Sequence, residues 1–555
     1  MKDIRKAEKG SPGSETTIKK VVIVFLIVVS PRLFAQTTKF DVVVYGGTSA
    51  GITAAIQVAK MGKKVAILEP GEHIGGMATE GLGGTDIDNH REFQNSPAVG
   101  GLALEFYRRV AKAYNRLDAF DNGLKAKTKN TQLWRFESKV AEKVYNEWIG
   151  EYRIPVFYNH QLSEEANSVV KKGAKITQIK LENGAVFQAQ VFIDATFEGD
   201  LLHFAGVSTV IGREANQKYG ETKNGIRAET THAQFAVRVD PYVVAGQPKS
   251  GVIPTIQDEP LGVAGAGDHR LQAYCFRVCL TQNLENQLPF YQPNQYDPKQ
   301  YEIYLRYEKA GGKLYTPSVS IPNGKTDLGA WHDLSHNLYG MNFGYPAGNY
   351  ATRKRILEQH CDFTQGLFYF LANDSAVSET TRQAWRKWGY AKDEFTDNRG
   401  FPRKFYVRDA RRMVADEVMT EHHVRKDNPK LVADPVAVAF WPPDTHSVRR
   451  IIKDGYAYNE GFVFGGNDWQ PFGVSYRSLI PKKTECTNLL TPTCPSSSHV
   501  AYGAIRIEFT FMALGQATGV AAVLAIDKRR AVQSIEYAVL KKILLGEKQV
   551  ISLAR

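Results

Sequence analysis

The clearest pattern along the chain is a switch, near its start, from an unbroken apolar run to a helical period. Phe40 to Tyr45 is apolar and β-branched apart from Asp41, the composition of a central strand buried on both faces. Gly46, Gly47 and Gly51 follow, and then Ile52, Ala55, Ile56 and Ala59 fall at i, i+3, i+4 and i+7, one apolar helical face. Gly62-Lys63-Lys64 ends that helix, and Val65 to Leu68 is a second buried strand closed by Glu69. This strand–turn–helix–strand unit of about 30 residues predicts an α/β fold with a parallel sheet.

Residues 101–150 read as helical around a polar Lys/Asn stretch at 121–131. Residues 155–158, 168–170, 175–182 and 185–190 read as short strands, with Asn183-Gly184 the signature of a type I′ hairpin turn. Residues 191–194 form a buried strand that ends in a polar loop. A β-meander therefore precedes the closing parallel strand. Residues 216–475 change to short elements rich in Tyr, Trp, Pro and Asn, with a helical period only around residues 404–424. The chain returns to a strand at 488–490, a polar loop to His499, and a helix of small residues at 511–525, where Gly515 and Gly519 share one face. The expected organisation is a leader at 1–35, a nucleotide fold at 38–215 with a helical insert at 101–150, an α+β cap at 216–475, and a return to the nucleotide fold at 476–555.

Composition adds compartment. Lys19-Lys20, a nine-residue apolar run at 21–29 and Ala35 make a signal-peptide pattern, so export to the periplasm or outside is expected. The run is short for a membrane span. Residues 1–35 carry seven Lys/Arg against three Asp/Glu, so the net charge of +12 falls to +8 after a cut at Ala35. No basic cluster interleaves with aromatics, and nucleic acid is not an expected partner. Cys275, Cys279, Cys361, Cys486 and Cys494 match no ferredoxin spacing, so an iron–sulfur cluster is not expected. Cys486 and Cys494 are open to two readings, a disulfide or two buried thiols. No residue spacing points to a metal.

The chemistry lies in the turn. A diphosphate takes backbone N–H groups at a helix N-terminus, uncovered by side chains, and an acid about 20 residues on takes a ribose hydroxyl. Gly46, Gly47, Thr48, Ser49, Ala50 and Gly51 with Glu69 fill those roles, although Thr48 stands where the motif has its second glycine. Six glycines between 71 and 84, Gly75 and Gly76 among them, suggest backbone pressed against a flat ligand.

These stretches resemble the FAD-dependent oxidoreductases that carry a glutathione-reductase-type flavin domain. More narrowly, the chain resembles a bacterial family of them found among exported carbohydrate-handling proteins, distantly grouped with heterodisulfide reductase A-type flavoproteins. The resemblance runs through residues 44–51, Gly75-Gly76-Met77, residues 194–201, residues 272–277, Tyr406-Val-Arg408, Ser497-Ser-His499 and Gly515-Gln516-Ala517, from about 40 to 530. Arg506-Ile-Glu508 departs from it only in being followed by Phe509 in place of proline.

It implies an FAD-binding Rossmann-type three-layer domain with a β-meander plus a cap. It places the diphosphate on residues 46–51, the ribose on Glu69 and Pro70, and the flavin end near Gly75, Gly76 and Met77. Ala195, Thr196, Gln516 and Gly519 complete the contacts, and a helix starting near Gly515 is aimed at the flavin's O2/N1 edge. His499 is the first candidate base and His446 the second; Arg506 polarises an oxygen or offsets flavin charge. Arg277, Arg408 and Arg411 hold a polar substrate or make ordinary salt bridges. Ser497 near His499 lacks a nucleophile-elbow setting. The expected activity is oxidation or reduction of a small molecule, a carbohydrate or a derivative, with a separate electron acceptor. The alternatives are a non-catalytic FAD-stabilised binding protein and an electron-transfer flavoprotein; a nicotinamide dehydrogenase fits the meander and the C-terminal return poorly.

Overall fold

The computed structural model describes residues 37–553, apart from 91–92, 128–130, 231 and 331. The expected leader at 1–35 lies outside the described residues. From β1 (Thr37–Lys39) the chain enters β2 (Val42–Tyr45), α1 (Ser49–Lys60) and β3 (Val65–Leu68). Helices α2 (Gly101–Ala113), α3 (Leu117–Lys125) and α4 (Ser138–Glu151) precede β4 (Val156–Phe157). Then come β5 (Val169–Lys172), β6 (Lys175–Lys180), β7 (Val186–Gln188) and β8 (Val191–Asp194).

A five-stranded parallel sheet runs in the order Leu489–Leu490, β8, β2, β3, β4, with Val44 opposite both Ile67 and Ile193. The meander is a second sheet, β1-β7-β6-β5, parallel only between β1 and β7. Strand alternation sorts β2 between two cores. Val42 and Val44 share one with α1 and the helix Glu508–Asp527, while Val43 and Tyr45 share another with Ile176, Ile179 and Phe187 of the meander. Meander, sheet and helices are the three layers of a Rossmann-type FAD-binding fold. Each fully buried Val, Leu or Ile contributes about 1.5–3 kcal/mol relative to exposure.

The helix Glu508–Asp527 begins three residues before the 511 that its pattern gives and two turns before the start near Gly515 that the resemblance implies. It is long and apolar enough to cross a membrane by length and composition, yet 94% of its apolar window is buried inside the fold. Its glycines face α1. A Cβ on Gly515 would stand 2.2 Å from Ala50 O, and one on Gly519 2.6 Å from Ala54 O. Close helix packing, not a flavin edge, occupies that face.

Two further elements differ from expectation. The Asn183-Gly184 turn is closed by Gly184 N–H to Leu181 O, and of that dipeptide only Gly184 has positive φ. That is a type I turn followed by a left-handed glycine; type I′ needs both central residues at positive φ. The long helix of the 216–475 region is Tyr350–Asn373, capped by Asn349, and residues 404–424 are extended or looped except for Glu421–Val424. Buried Arg353 and His360 lie in the same period as Ile356, Phe363, Leu367 and Leu371, and so hide it from an apolar count. Conversely, Arg408, Arg411 and Arg412 are buried in extended chain, bonding carbonyls and carboxylates.

The Tyr350–Asn373 helix centres an aromatic core with Tyr274, Tyr301, Trp385 and Phe405. The described residues form one compact unit. All five cysteines are free thiols, Cys486 and Cys494 both buried, so of the two readings the structure carries the second.

Candidate functional site

The turn from β2 into α1 needs glycine at both ends. Gly46 has φ +99°, and its Cβ would stand 2.7 Å from Thr196 N; a Cβ on Gly51 would stand 2.1 Å from Gly46 O. Thr48 caps α1. Its hydroxyl accepts from Gly51 N–H at 3.2 Å and donates to Ala195 O at 2.7 Å, which ties the turn to the end of β8. Thr196 is held in turn by Asp194, whose carboxyl burial pushes up to about 7.

Glu69 closes the other side. A carboxylate offers about four acceptor sites. Three are taken, by Gly47 N–H, Gly71 N–H and Lys404 Nζ, each at 2.8 Å, which leaves one for a ribose hydroxyl. Gly46, Thr48, Glu69, Pro70, Gly76, Met77 and Thr196 all open on one cavity of about 500 Å³, within the range of small-molecule sites. A glycine turn, a helix N-terminus and an acid with a vacant acceptor, meeting at one cavity, fit FAD.

The rest of the lining comes from Tyr345, Tyr350, Arg353 and Leu357, with Lys404 and Phe405, which sequence reasoning missed, and from Val407 of the Tyr406-Val-Arg408 stretch. The one signal for them was the period 353, 356, 360, 363, 367 behind an Asn cap.

Other expected contacts lie away from this cavity. Ser49 and Ala50 are buried beneath the turn, and the Ser49 hydroxyl donates to Glu508. Gln516 accepts from Leu102 N–H at 2.8 Å and donates to Gln57 at 3.0 Å, bracing α2 against α1. Gly515 and Gly519 serve the helix seam described above. The glycine-rich loop is pressed mainly against protein. Gly75 N–H donates to Gly47 O at 2.6 Å, and Cβ atoms on Gly81 and Gly83 would stand 1.8 and 1.9 Å from the carbonyls of Arg277 and Phe136.

From the Met77 end of the cavity a polar cluster leads inward. Met77 packs with Tyr406, whose hydroxyl accepts from Arg506 at 2.8 Å. Arg506 also donates to Asp444 O at 2.9 Å. The His446 ring stands 4.0 Å from the Asp444 carboxylate, and its backbone N–H donates to Gln272 Oε1 at 3.1 Å. Burial, then Arg408, Arg506 and Arg277, hold the His446 pKa well below its ordinary value, so the ring is neutral. Arg277 pairs with Asp327 at 2.6 Å. Burial pushes the Asp86 carboxyl up to about 6 against the pull of Arg277, and Glu508 up to about 7 against its Ser49 hydrogen bond. Cys275 accepts from Arg408 at 3.1 Å; against burial, Arg408 and His336 bring its thiol down to about 6.

His499 is the first residue of the helix His499–Ile505, with Ser498 as its cap, and not part of a loop. It is fully buried, 2.9 Å from Asp409 through Nδ1. Asp409 in turn accepts from Gln272 N–H at 3.2 Å, so the two candidate histidines sit at opposite ends of one buried chain. Arg411 is spent on Asp200 at 2.9 Å. Among the described residues, Glu137, Asp393 and Glu394 have metal-like spacing, but Lys325 Nζ fills their centre at 2.6 to 2.8 Å.

These features define a nucleotide-binding α/β fold. The profile of the family described as FAD dependent oxidoreductase matches residues 41–544, and the chain belongs to that family of enzymes. No curated protein matches it. It is similar to the solved structure of L-proline dehydrogenase from P. horikoshii at 16% identity and TM-score 0.24, over 32% of this chain and 59% of that one. Likeness to L-amino acid deaminase from Proteus vulgaris is 16% at TM-score 0.22, over 33% and 54%. Thioredoxin reductase of T. acidophilum matches at 15% and TM-score 0.17, over 36% and 38%.

Proposed function

We propose that this flavoenzyme oxidises a hydroxylated small molecule, a carbohydrate or a derivative of one, by hydride transfer to FAD. The observation that carries the reading is a neutral imidazole, His446, under the field of the guanidiniums of Arg277, Arg408 and Arg506, the last of them bonded to Tyr406. Oxidising an alcohol removes a proton from oxygen and a hydride from carbon. FAD, when bound, supplies the two-electron acceptor. Gly46, Thr48, Glu69, Pro70, Gly76, Met77 and Thr196 would hold it, with the flavin end toward Met77 and Tyr406.

Neutral His446 accepts the hydroxyl hydrogen in a hydrogen bond and passes the proton on to solvent as the hydride leaves, because burial and the surrounding guanidiniums leave it no stable protonated form. Arg506 offsets charge on the oxygen as that proton leaves, and Tyr406 fixes the guanidinium's orientation. His499 and Asp409 support this arrangement from behind through Gln272. We further propose residues 216–475 as the cap that closes the substrate side. The leader pattern supports export, which N-terminal sequencing of the mature protein would test.

The test of the chemistry is anaerobic mixing of the holoenzyme with sugars and sugar derivatives while the flavin absorbance is followed. One of them should bleach the flavin, and His446→Gln should retain FAD and slow bleaching by about 10²–10⁴-fold. Equal rates in the two proteins would remove His446 from the chemistry. A fully loaded enzyme that no hydroxylated compound bleaches would overturn the substrate class.

A further inference from the structure

The cap meets the cofactor cavity through cations. Arg353 lines it, but its guanidinium is already committed, to Asp200 at 2.6 and 2.7 Å and to the carbonyls of Tyr345 and Pro346. Lys354 lines it too, but its side chain is 76% exposed and its ammonium stands 3.9 Å from Glu358. Lys404 differs from both. Its ammonium lines the same cavity as Gly46 and Thr48 at the α1 N-terminus, and its side chain is 44% exposed. Glu69 Oε1 at 2.8 Å is its hydrogen-bond partner. An ammonium carries three donors, so two remain on the cavity side, next to the acid placed for a ribose.

We propose that Lys404, delivered by the cap, is a ligand of the cofactor's adenosine-diphosphate half. It bridges Glu69 to the diphosphate and makes cofactor retention depend on the cap. This rests on the FAD reading of the cavity. A diphosphate brings two negative charges to a helix N-terminus whose neighbouring side chains include Glu69 and Glu198, Asp200 being already paired with Arg353 and Arg411. A lysine within reach offsets those acids, and neighbouring Arg403, bonded to Glu80 at 3.1 Å, anchors the segment that carries it.

The test is the FAD dissociation constant of the apoprotein, read by flavin fluorescence at low and high salt, for wild type, Lys404→Gln, Lys404→Arg and Lys143→Gln. Lys404→Gln should weaken FAD by about 10- to 100-fold, the loss of one charged hydrogen-bonding partner, and flatten the salt dependence. Lys404→Arg should restore most of the affinity, and Lys143→Gln, at a 69% exposed side chain outside the cavity lining, should bind as wild type does. The urea midpoint of apo Lys404→Gln should match wild type, which separates a ligand from a brace. Unchanged FAD affinity in Lys404→Gln overturns the assignment, as does weakening matched by a lower apoprotein midpoint. A wild-type chain that binds no FAD overturns the cofactor reading, and this assignment with it.

Discussion

Replacing Gly515 with alanine tests what the small-residue face of the helix Glu508–Asp527 is for. A Cβ there would stand 2.2 Å from Ala50 O and 2.4 Å from Thr53 Oγ1, one backbone atom and one hydroxyl already bonded to Met512 O at 2.8 Å. The helices have to part by about 1 Å to regain an ordinary contact. Overpacking against backbone costs about 3 kcal/mol. Loss of the Thr53–Met512 hydrogen bond adds about 1 kcal/mol, and alanine's better helix propensity returns about 1 kcal/mol. The net expectation is a loss of about 3 kcal/mol in urea unfolding, with weaker FAD binding because the N-terminus of α1 shifts with its helix. Gly546→Ala is the control. That residue ends the helix Tyr537–Gly546 with nothing within 4 Å of its Cβ, and should be neutral or slightly stabilising. A Gly515→Ala protein as stable as the control would refute the packing role.

Three other outcomes follow from the buried charges. Glu508 has a native pKa of about 7 against an ordinary 4.5, so the stability that its neutral form provides is complete below 4.5 and lost as pH rises through 7. Glu508→Gln should therefore gain about 3 kcal/mol on wild type between pH 5 and pH 8, and a difference independent of pH in urea titrations would contradict the shift. Because burial and three arginines keep His446 neutral, flavin bleaching should show no acid limb near 6.5 from this ring. Such a limb, present in wild type and absent from His446→Gln, would speak against it. Lys325→Met leaves Glu137, Asp393 and Glu394 facing one another and should cost about 3–5 kcal/mol by urea unfolding at pH 8, less at pH 4, where carboxyls take up protons.

The nucleotide half was legible because its signals are local. An apolar strand, a glycine turn with a capping Thr48, a helix and Glu69 lie within 30 residues of one another, and the structure holds them as one unit. The C-terminal helix was legible as an element but not in its role. Gly515 and Gly519 look alike whether they admit a ligand or a neighbouring helix, and only the position of α1 decides. The 216–475 region was the least legible. Its long helix mixes Arg353 and His360 into the buried face, and its cavity-lining residues 345, 350, 353, 404 and 405 are far apart in the chain. His446 carried no sequence sign of neutrality, because Arg277, Arg408 and Arg506 reach it from three separate segments.

The most direct measurement is the visible spectrum of the purified protein, with identification of any flavin released on denaturation, followed by anaerobic addition of hydroxylated substrates. The expected result is a yellow protein that releases FAD and is bleached by one of those compounds. A colourless protein that cannot be reconstituted with FAD would contradict the assignment of the cavity between α1, Glu69 and the cap.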